Sequence, residues 1–399
     1  EKLKALGKQQ DFRPRHVHVV GGGVMGGDIA AWCAMQGFPV SIQDREHETL
    51  GRVVRRAFDL YRKKLRPRRN ATAALDRLMP DLPGHGLRKA ELVIEAIFED
   101  AQVKRDLFAE VEKRVPDDAI LATNTSSIPL QELTPALERA ERLVGMHFFN
   151  PVAKMPLVEI VHGPDTSPET IERASAFARR IRRLPLPVTS TPGFLVNRVL
   201  MPYLMEAVVM VEEGIPLAII DRVATDFGMP MGPIELADTV GLDICLKVAE
   251  NLTAHFGGEV PGILRDKVQQ GRLGKKSGEG FYVFRKGRPV KPAPEKGYTP
   301  PTDLQDRLIL RMLNEVVACL REQVVADGDL ADAGIVFGTG FAPFRGGPVQ
   351  YIRERGPGQL HALLESLSHS HGERFTPDAG WRKLIETASE AGAEAQDDG

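Results

Sequence analysis

Two residues with acid–base chemistry stand twelve positions apart in the stretch GMHFFNPVAKMPLVEIV, namely His147 and Glu159. An imidazole held at one ring nitrogen by a carboxylate has a fixed tautomer and a more basic second nitrogen, the requirement for a base that takes a hydroxyl proton. Taken alone, His147 beside Phe148 and Phe149 reads more readily as a core histidine packed at a strand end. Asn150-Pro151 reads as a turn that folds the chain back and sets the carboxylate against the ring. Ser126, in NTSSI, ends the preceding extended stretch. In a parallel sheet it would come close enough to hydrogen-bond the same hydroxyl.

Such residues need a sheet edge to hold them, and the N-terminal region has the makings of one. HVHVV (16–20) has strand composition and runs into GGGVMGGDIAAWCAMQG, whose glycines 21, 23 and 26 fit G-x-G-x-x-G before a helical apolar pattern that stops at Gly37. PVSIQ (39–43) reads as a second strand ending at Asp44, an acid 18 residues after Gly26. Glycines alone are weak evidence. A strand before them, a helix after them and an acid at this distance together specify a dinucleotide site. Gly21 permits the tight turn, Gly23 lets the backbone approach a pyrophosphate, and Gly26 lets helix and strand pack closely. The helix start offers free N–H groups and a positive dipole end. Asp44 would accept from ribose hydroxyls and repel a 2′-phosphate, favouring NAD over NADP, a preference that Arg45 softens.

Further strands follow at ELVIEAI (91–97), AILATN (119–124) and LVGMHF (143–148), with helical AQVKRDLFAEVEKRV and PETIERASAFARRIRRL between and after them. This alternation predicts an α/β, Rossmann-like, doubly wound parallel sheet. Residues 51–70, within a helical insertion at 46–88, carry nine Lys/Arg against the single acid Asp59. One reading is a solvated helix face. The other is a landing site for a phosphate-bearing substrate, with Arg55, Arg56 and Lys63 as candidates. Only Phe58 and Tyr61 could stack on bases there, so nucleic acid is not indicated.

After about residue 190 the pattern is helical only. NRVLMPYLMEAVVMVEEG (197–214) aligns with DRLILRMLNEVVACLREQ (306–323), and FGMPMGP (227–233) with FGTGFAP (337–343). An offset close to 110 predicts two all-α helical domains related by duplication, expected at 190–288 and 304–390. The Pro-rich strip 289–303 would link them. The first domain is expected at 15–189, after a helical linker stub at 1–14, and the acidic tail 391–399 reads as frayed. GRLGKKSGEGFY looks like a phosphate loop but lacks its upstream glycine and carries Lys276 before Ser277, so a glycine-rich turn is expected instead.

The bulk properties exclude several classes. With 399 residues, 42% hydrophobic and 27% charged, the chain has the composition of a multidomain globular protein. Its net charge of −2 gives no global attraction to nucleic acid or anionic membrane. No apolar run has membrane-spanning length, and the N-terminus lacks a signal-peptide pattern. Cys33, Cys245 and Cys319 are too dispersed for a metal knuckle or a disulfide framework. No metal is expected, and a reducing, cytoplasmic home is. The start at Glu1 reads as a cut into something longer.

The segments VGGGVMGGDIA, Asp44, VIEAIFEDAQVK, ATNTSSIP, GMHFFNPVAKMPLVEIV and TPGFLVNR together resemble the 3-hydroxyacyl-CoA dehydrogenase family over nearly the whole chain. The duplicated helical region with FGTGFAPFRGGPVQY resembles the dehydrogenase portion of a bacterial multifunctional fatty-acid β-oxidation α-subunit. The resemblance implies NAD-dependent oxidation of an (S)-3-hydroxyacyl-CoA to a 3-ketoacyl-CoA. His147 would be the catalytic histidine, Glu159 its carboxylate, and Ser126 the contact to the reacting oxygen, with Asn150 and Asn197 as substrate-site asparagines. It places the cofactor at the glycine loop with Val24 and Met25, at Asp44, Ile97, Phe98, Glu99, Lys104 and Asn124, and by the same motif at Asn150. Tyr351 would reach toward substrate. As partners it implies an N-terminal hydratase domain and a thiolase subunit in the full-length protein. Gly22 stands where the family more often has alanine. Two other readings stay open: a dehydrogenase of a free β-hydroxy acid, and a silent NAD-binding scaffold of a larger complex.

Overall fold

The computed structural model describes residues 2–8, 10–293 and 297–397, with side chains described to 390. The chain divides into two compact units, Glu1–Phe194 and Leu195–Gly399.

The first unit is built on eight strands: β1 (Val17–Val20), β2 (Val40–Gln43), β3 (Leu78–Pro80), β4 (Leu92–Glu95), β5 (Ile120–Thr123), β6 (Leu143–Phe148), β7 (Leu157–His162) and β8 (Leu184–Thr189). They lie in the order β3-β2-β1-β4-β5-β6-β7-β8. All pairings are parallel except β6–β7, so the expected parallel sheet carries one reversal. That reversal is the fold-back at Asn150-Pro151. β1, β4, β5 and β6 are buried along their whole length, as strands covered on both faces must be. The helices are α1 (Lys2–Ala5), α2 (Val24–Met35), α3 (His47–Lys64), α4 (Arg68–Asp76), α5 (Ala101–Glu112) and α6 (Pro168–Arg180). Among the described residues of the expected stub, Lys2–Ala5 are helical. On α3 the residues Leu50, Val53, Ala57 and Tyr61 make one buried stripe, and Tyr61 donates to the Ala31 carbonyl of α2 at 2.7 Å. The insertion is therefore an amphipathic arm docked on α2, and it also supplies β3 to the sheet.

β3 and β8 were not expected from the sequence. Both are edge strands, and Pro185 and Pro187 of β8 lack the N–H that a central strand would need.

Two histidines are buried at β1, His16 just before it and His18 within it, both beside Ser41 of β2. Ser41 Oγ sits 2.7 Å from His16 Nε2 and 2.6 Å from His18 Nδ1, and His18 Nε2 lies 3.1 Å from Gln43 Oε1. Burial pushes His16 down to about 4, helped by Lys89 and His18 and opposed by Asp81. Burial lowers His18 too, with Gln43 and Asp81 opposing. The unfolded chain takes up these protons near the ordinary histidine range and the native state resists them. The native state therefore holds its full stability above about pH 6.5 and loses it as pH falls toward 4. Between pH 7 and pH 5 the His16 contribution is about 2 kcal/mol. Urea titrations at the two pH values should show His16→Gln losing less stability than the parent by an amount of that order. Equal losses would show that His16 does not carry the linkage.

The second unit contains α7 (Val196–Glu212), α8 (Leu217–Phe227), α9 (Pro233–Val240), α10 (Leu242–Phe256), α11 (Gly262–Gln269), α12 (Leu304–Arg321), α13 (Gly328–Thr339), α14 (Pro348–Arg355), α15 (Pro357–His371) and α16 (Gly380–Asp397), with a hairpin of β9 (Val283–Arg285) and β10 (Arg288–Val290). The second strand of the hairpin runs into the start of the strip expected to be a linker, and residues 294–296 lie outside the described residues. The tail expected to fray carries α16 backbone to Asp397, and 398–399 lie outside the described residues. α7 and α12 pack together and exchange charges reciprocally. Arg198 bonds Glu315 and Glu322, each at 2.6 Å, while Arg307 bonds Glu206 at 2.8 Å and Glu213 at 2.7 Å. A shift of 109 residues converts Arg198 to Arg307, Glu206 to Glu315 and Glu213 to Glu322. The duplication read from the aligned segments is thus present in the ion pairs of the two nearly buried arginines as well.

Candidate active site

His147 and Glu159 are directly opposed in the β6–β7 pairing, which puts both side chains on one face. His147 Nδ1 lies 2.7 Å from Glu159 Oε2, with the two side chains 7% and 0% exposed. A carboxylate at Nδ1 specifies the tautomer with its proton there, which leaves Nε2 as acceptor. Phe149 stands 4.6 Å from the imidazole centroid and Phe194 5.6 Å. Phe148 turns the other way into the sheet core. Only one of the two flanking phenylalanines therefore shields the ring.

The neighbouring strand ends are tied to one another. Asn124 donates its backbone N–H to Glu95 O at 2.8 Å and accepts from Phe148 N through Oδ1 at 2.9 Å, bracing the ends of β4, β5 and β6. Ser126 follows in the loop after β5, half-buried. Its N–H, the Ser127 N–H and the Thr125 hydroxyl wrap Glu99, whose Oε1 accepts from Thr125 Oγ1 at 2.5 Å, Ser126 N at 2.9 Å and Ser127 N at 3.2 Å. Burial alone would raise the Glu99 carboxyl, but Lys104 and these donors outweigh it and hold it below the ordinary range. Lys104 is buried between Glu95 at 2.6 Å and Glu99 at 3.3 Å. Glu95 also accepts from Ile97 N and Thr123 Oγ1. Lys104, expected at the cofactor with Glu99, is ion-paired to both Glu95 and Glu99 within the protein. Their visible role is to fix the 96–99 loop and the Ser126 loop together. Phe98 stands out from that loop, 58% exposed. Glu95 escaped the sequence reading, although an acid ending the apolar run LVI was a usable signal.

The glycine loop fits a dinucleotide by the space it leaves. A Cβ at Gly26 would lie 2.0 Å from Gly21 O, whereas a Cβ at Gly23 would meet nothing within 4 Å. The first site closes the turn and the second keeps the approach open for a pyrophosphate. Gly21 takes φ +107° with its α-carbon against Ala96, so the β4 loop rests on the glycine turn. Asp44 accepts from Gly22 N at 2.7 Å, and Val24 is exposed at the start of α2 with Met25 half-buried behind it.

The remaining candidates lie on other elements. Asn150 is exposed in the turn after β6. Arg55 and Lys63 are exposed on α3, but Arg56 turns toward the glycine loop. Asn197 and Tyr351 belong to the second unit. Asn197 is half-buried in the first turn of α7, and Tyr351 is buried in a cluster with Phe227 at 5.4 Å and Phe341 at 6.4 Å. Tyr351 is packed as a core aromatic in that unit. Among the described residues no group of three His, Cys, Asp or Glu side chains is disposed to hold a metal ion, and no helix is long and apolar enough to cross a membrane.

A glycine turn between β1 and α2, an acid after β2 and a histidine–carboxylate pair at the β6 end together define a dinucleotide-dependent oxidoreductase site. The comparisons agree. Residues 16–191 match the NAD-binding domain of 3-hydroxyacyl-CoA dehydrogenase and residues 193–284 its C-terminal domain. The fatty acid oxidation complex subunit alpha of Shewanella amazonensis is 36% identical over a 390-residue match that covers 92% of this chain and 55% of that one. The chain thus spans about half the length of the curated relatives it matches. The 3-hydroxybutyryl-CoA dehydrogenase structure from Escherichia coli has a TM-score of 0.86 at 28% identity, covering 95% of this chain and all of that one. The (S)-3-hydroxybutyryl-CoA dehydrogenase PaaH1 of Ralstonia eutropha has a TM-score of 0.65 at 34% identity, covering 69% of this chain and all of that one. The chain belongs to the 3-hydroxyacyl-CoA dehydrogenase family and is an NAD-dependent enzyme of that family.

Proposed function

We propose that the chain oxidises the 3-hydroxyl of an (S)-3-hydroxyacyl-CoA to the ketone, with His147 as the base. The observation that carries the reading is the 2.7 Å contact of Glu159 with His147 Nδ1 at the carboxyl end of β6. Nε2 takes the hydroxyl proton, and the Glu159 carboxylate stabilises the imidazolium that results. Bound NAD supplies the hydride acceptor, held by the glycine loop, Asp44 and the 96–99 loop. Ser126 donates to the reacting oxygen. The reverse reaction uses the same groups with the imidazolium as acid. Phe149 and Phe194 keep water from the ring, which favours transfer between His147 and substrate over exchange with solvent.

Arg55 and Lys63, exposed on α3, supply positive charge for the CoA phosphates. In the longer protein that the relatives represent, a hydratase domain would produce the hydroxyacyl-CoA and a thiolase subunit would cleave the ketoacyl-CoA, in the cytoplasm.

The test is NADH consumption with acetoacetyl-CoA, with a pantetheine-truncated thioester and with free acetoacetate. The CoA ester should be turned over best. Arg55→Glu/Lys63→Glu should raise its KM about tenfold, on the order of 1.4 kcal/mol, and leave the truncated thioester unchanged. Equal turnover of the free acid would favour the β-hydroxy acid reading. NADH binding without turnover of any of the three would favour the silent scaffold.

A further inference from the structure

Arg56 lies in the basic run of the insertion, yet the fold does not present it with the other cations. Its Nη2 donates to the Gly23 carbonyl at 2.9 Å, and its Nε faces Asp28 Oδ1 at 3.5 Å. The contact is built from both sides. A Cβ at Gly27 would fall 2.4 Å from Arg56 Nη2, so any side chain at 27 would push the guanidinium from the place where it meets the loop. Asp28, one residue on, supplies the countercharge, and its own carboxyl is raised by burial against the opposing pull of Arg56. The α3 stripe of Leu50, Val53, Ala57 and Tyr61 holds the helix that carries Arg56 against α2.

Gly23 is the residue before α2 and the middle glycine of the fingerprint. Its carbonyl already accepts the first helical bond from Gly27 N at 3.0 Å, and Arg56 takes its remaining acceptor capacity. A trans peptide points its N–H opposite its C=O. Fixing the Gly23 carbonyl toward α3 therefore aims the Val24 N–H away from α3, and that N–H is one of those at a helix start with no partner in its own helix. Hydrogen bonding at the carbonyl also polarises the peptide and strengthens its N–H as a donor.

We infer that Arg56, seated by Gly27 and Asp28, is a positioning residue for the NAD pyrophosphate loop and no part of the CoA-binding surface. The inference rests on the cofactor and is independent of the proposed acyl substrate. Gln at 56 keeps a polar side chain but is two bonds shorter, so it removes the charge, the forked donor and the reach to the Gly23 carbonyl together.

NADH affinity, read by fluorescence titration without any acyl substrate, should fall about tenfold in Arg56→Gln, on the order of 1.4 kcal/mol. At saturating NADH the KM for acetoacetyl-CoA should stay at the parent value. Asp28→Asn should weaken NADH in the same direction by less. The double variant should be no worse than Arg56→Gln alone, because both act through one contact. Parent-like NADH affinity in Arg56→Gln overturns the inference, as does a loss confined to the KM for acetoacetyl-CoA. Should Arg56→Gln not fold, Asp28→Asn decides alone: weakened NADH with unchanged KM for acetoacetyl-CoA upholds the inference, and unchanged NADH affinity overturns it.

Discussion

Replacing His147 with glutamine should lower kcat for acetoacetyl-CoA reduction by about 10³-fold, within the span that a positioned proton-transfer group contributes. Glutamine fills nearly the same volume and can still donate to Glu159, so the β6–β7 pairing should survive. It has no nitrogen that both releases and accepts a proton near neutral pH. NADH affinity should be unchanged, because the glycine loop, Asp44 and the 96–99 loop are intact. Stopped-flow NADH consumption with a parallel NADH titration checks both halves. Glu159→Gln should give a smaller loss of the same sign, since it keeps the ring orientation but removes the charge that stabilises the imidazolium. Equal kcat in the parent and His147→Gln would mean that the histidine is only a packed strand-end residue.

Gly26→Ala should abolish useful cofactor binding, weakening NADH by at least about 100-fold, on the order of 2.7 kcal/mol. The added methyl would sit 2.0 Å from the Gly21 carbonyl oxygen and 3.1 Å from its carbon, both main-chain atoms that cannot rotate aside. The turn must open, and it rests on Ala96 of the β4 loop, so the loss should include thermal stability. Gly23→Ala is the informative contrast. Its methyl meets nothing within 4 Å, so the protein should unfold at the parent temperature and yet bind NADH poorly. Thermal unfolding and NADH titration of the two variants separate closing the turn from admitting a pyrophosphate. NADH affinity at the parent level in Gly23→Ala would show that the cofactor does not approach that backbone.

What could be read from the sequence was what depends on short-range pattern. β6 (Leu143–Phe148) coincides with the expected LVGMHF, and α2 ends before Gly37 as its periodicity indicated. The fold-back at Asn150-Pro151 placed Glu159 opposite His147 because a two-residue side-chain period leaves few registers. What was missed depends on which surface a residue meets. A run of nine basic residues carries no mark of which one turns inward. Arg56 flanks the buried stripe of Val53 and Ala57, and helical spacing places it beside the stripe without naming its acceptor on another element. Glu95, Lys104 and Thr123 form one buried network from separate strands and a helix, which no local window spans. β8 was hidden by its prolines, which are acceptable only because the strand has a free edge.

The exchanged arginines of α7 and α12 have the logic of a self-complementary interface, in which residue i of one half meets residue j of the other and the converse holds. Here both halves are in one chain. Each half brings one nearly buried guanidinium and the acids that neutralise the other half's guanidinium, so neither is electrically complete by itself. The two copies may drift apart at every exposed position, but at these six they must change together or not at all.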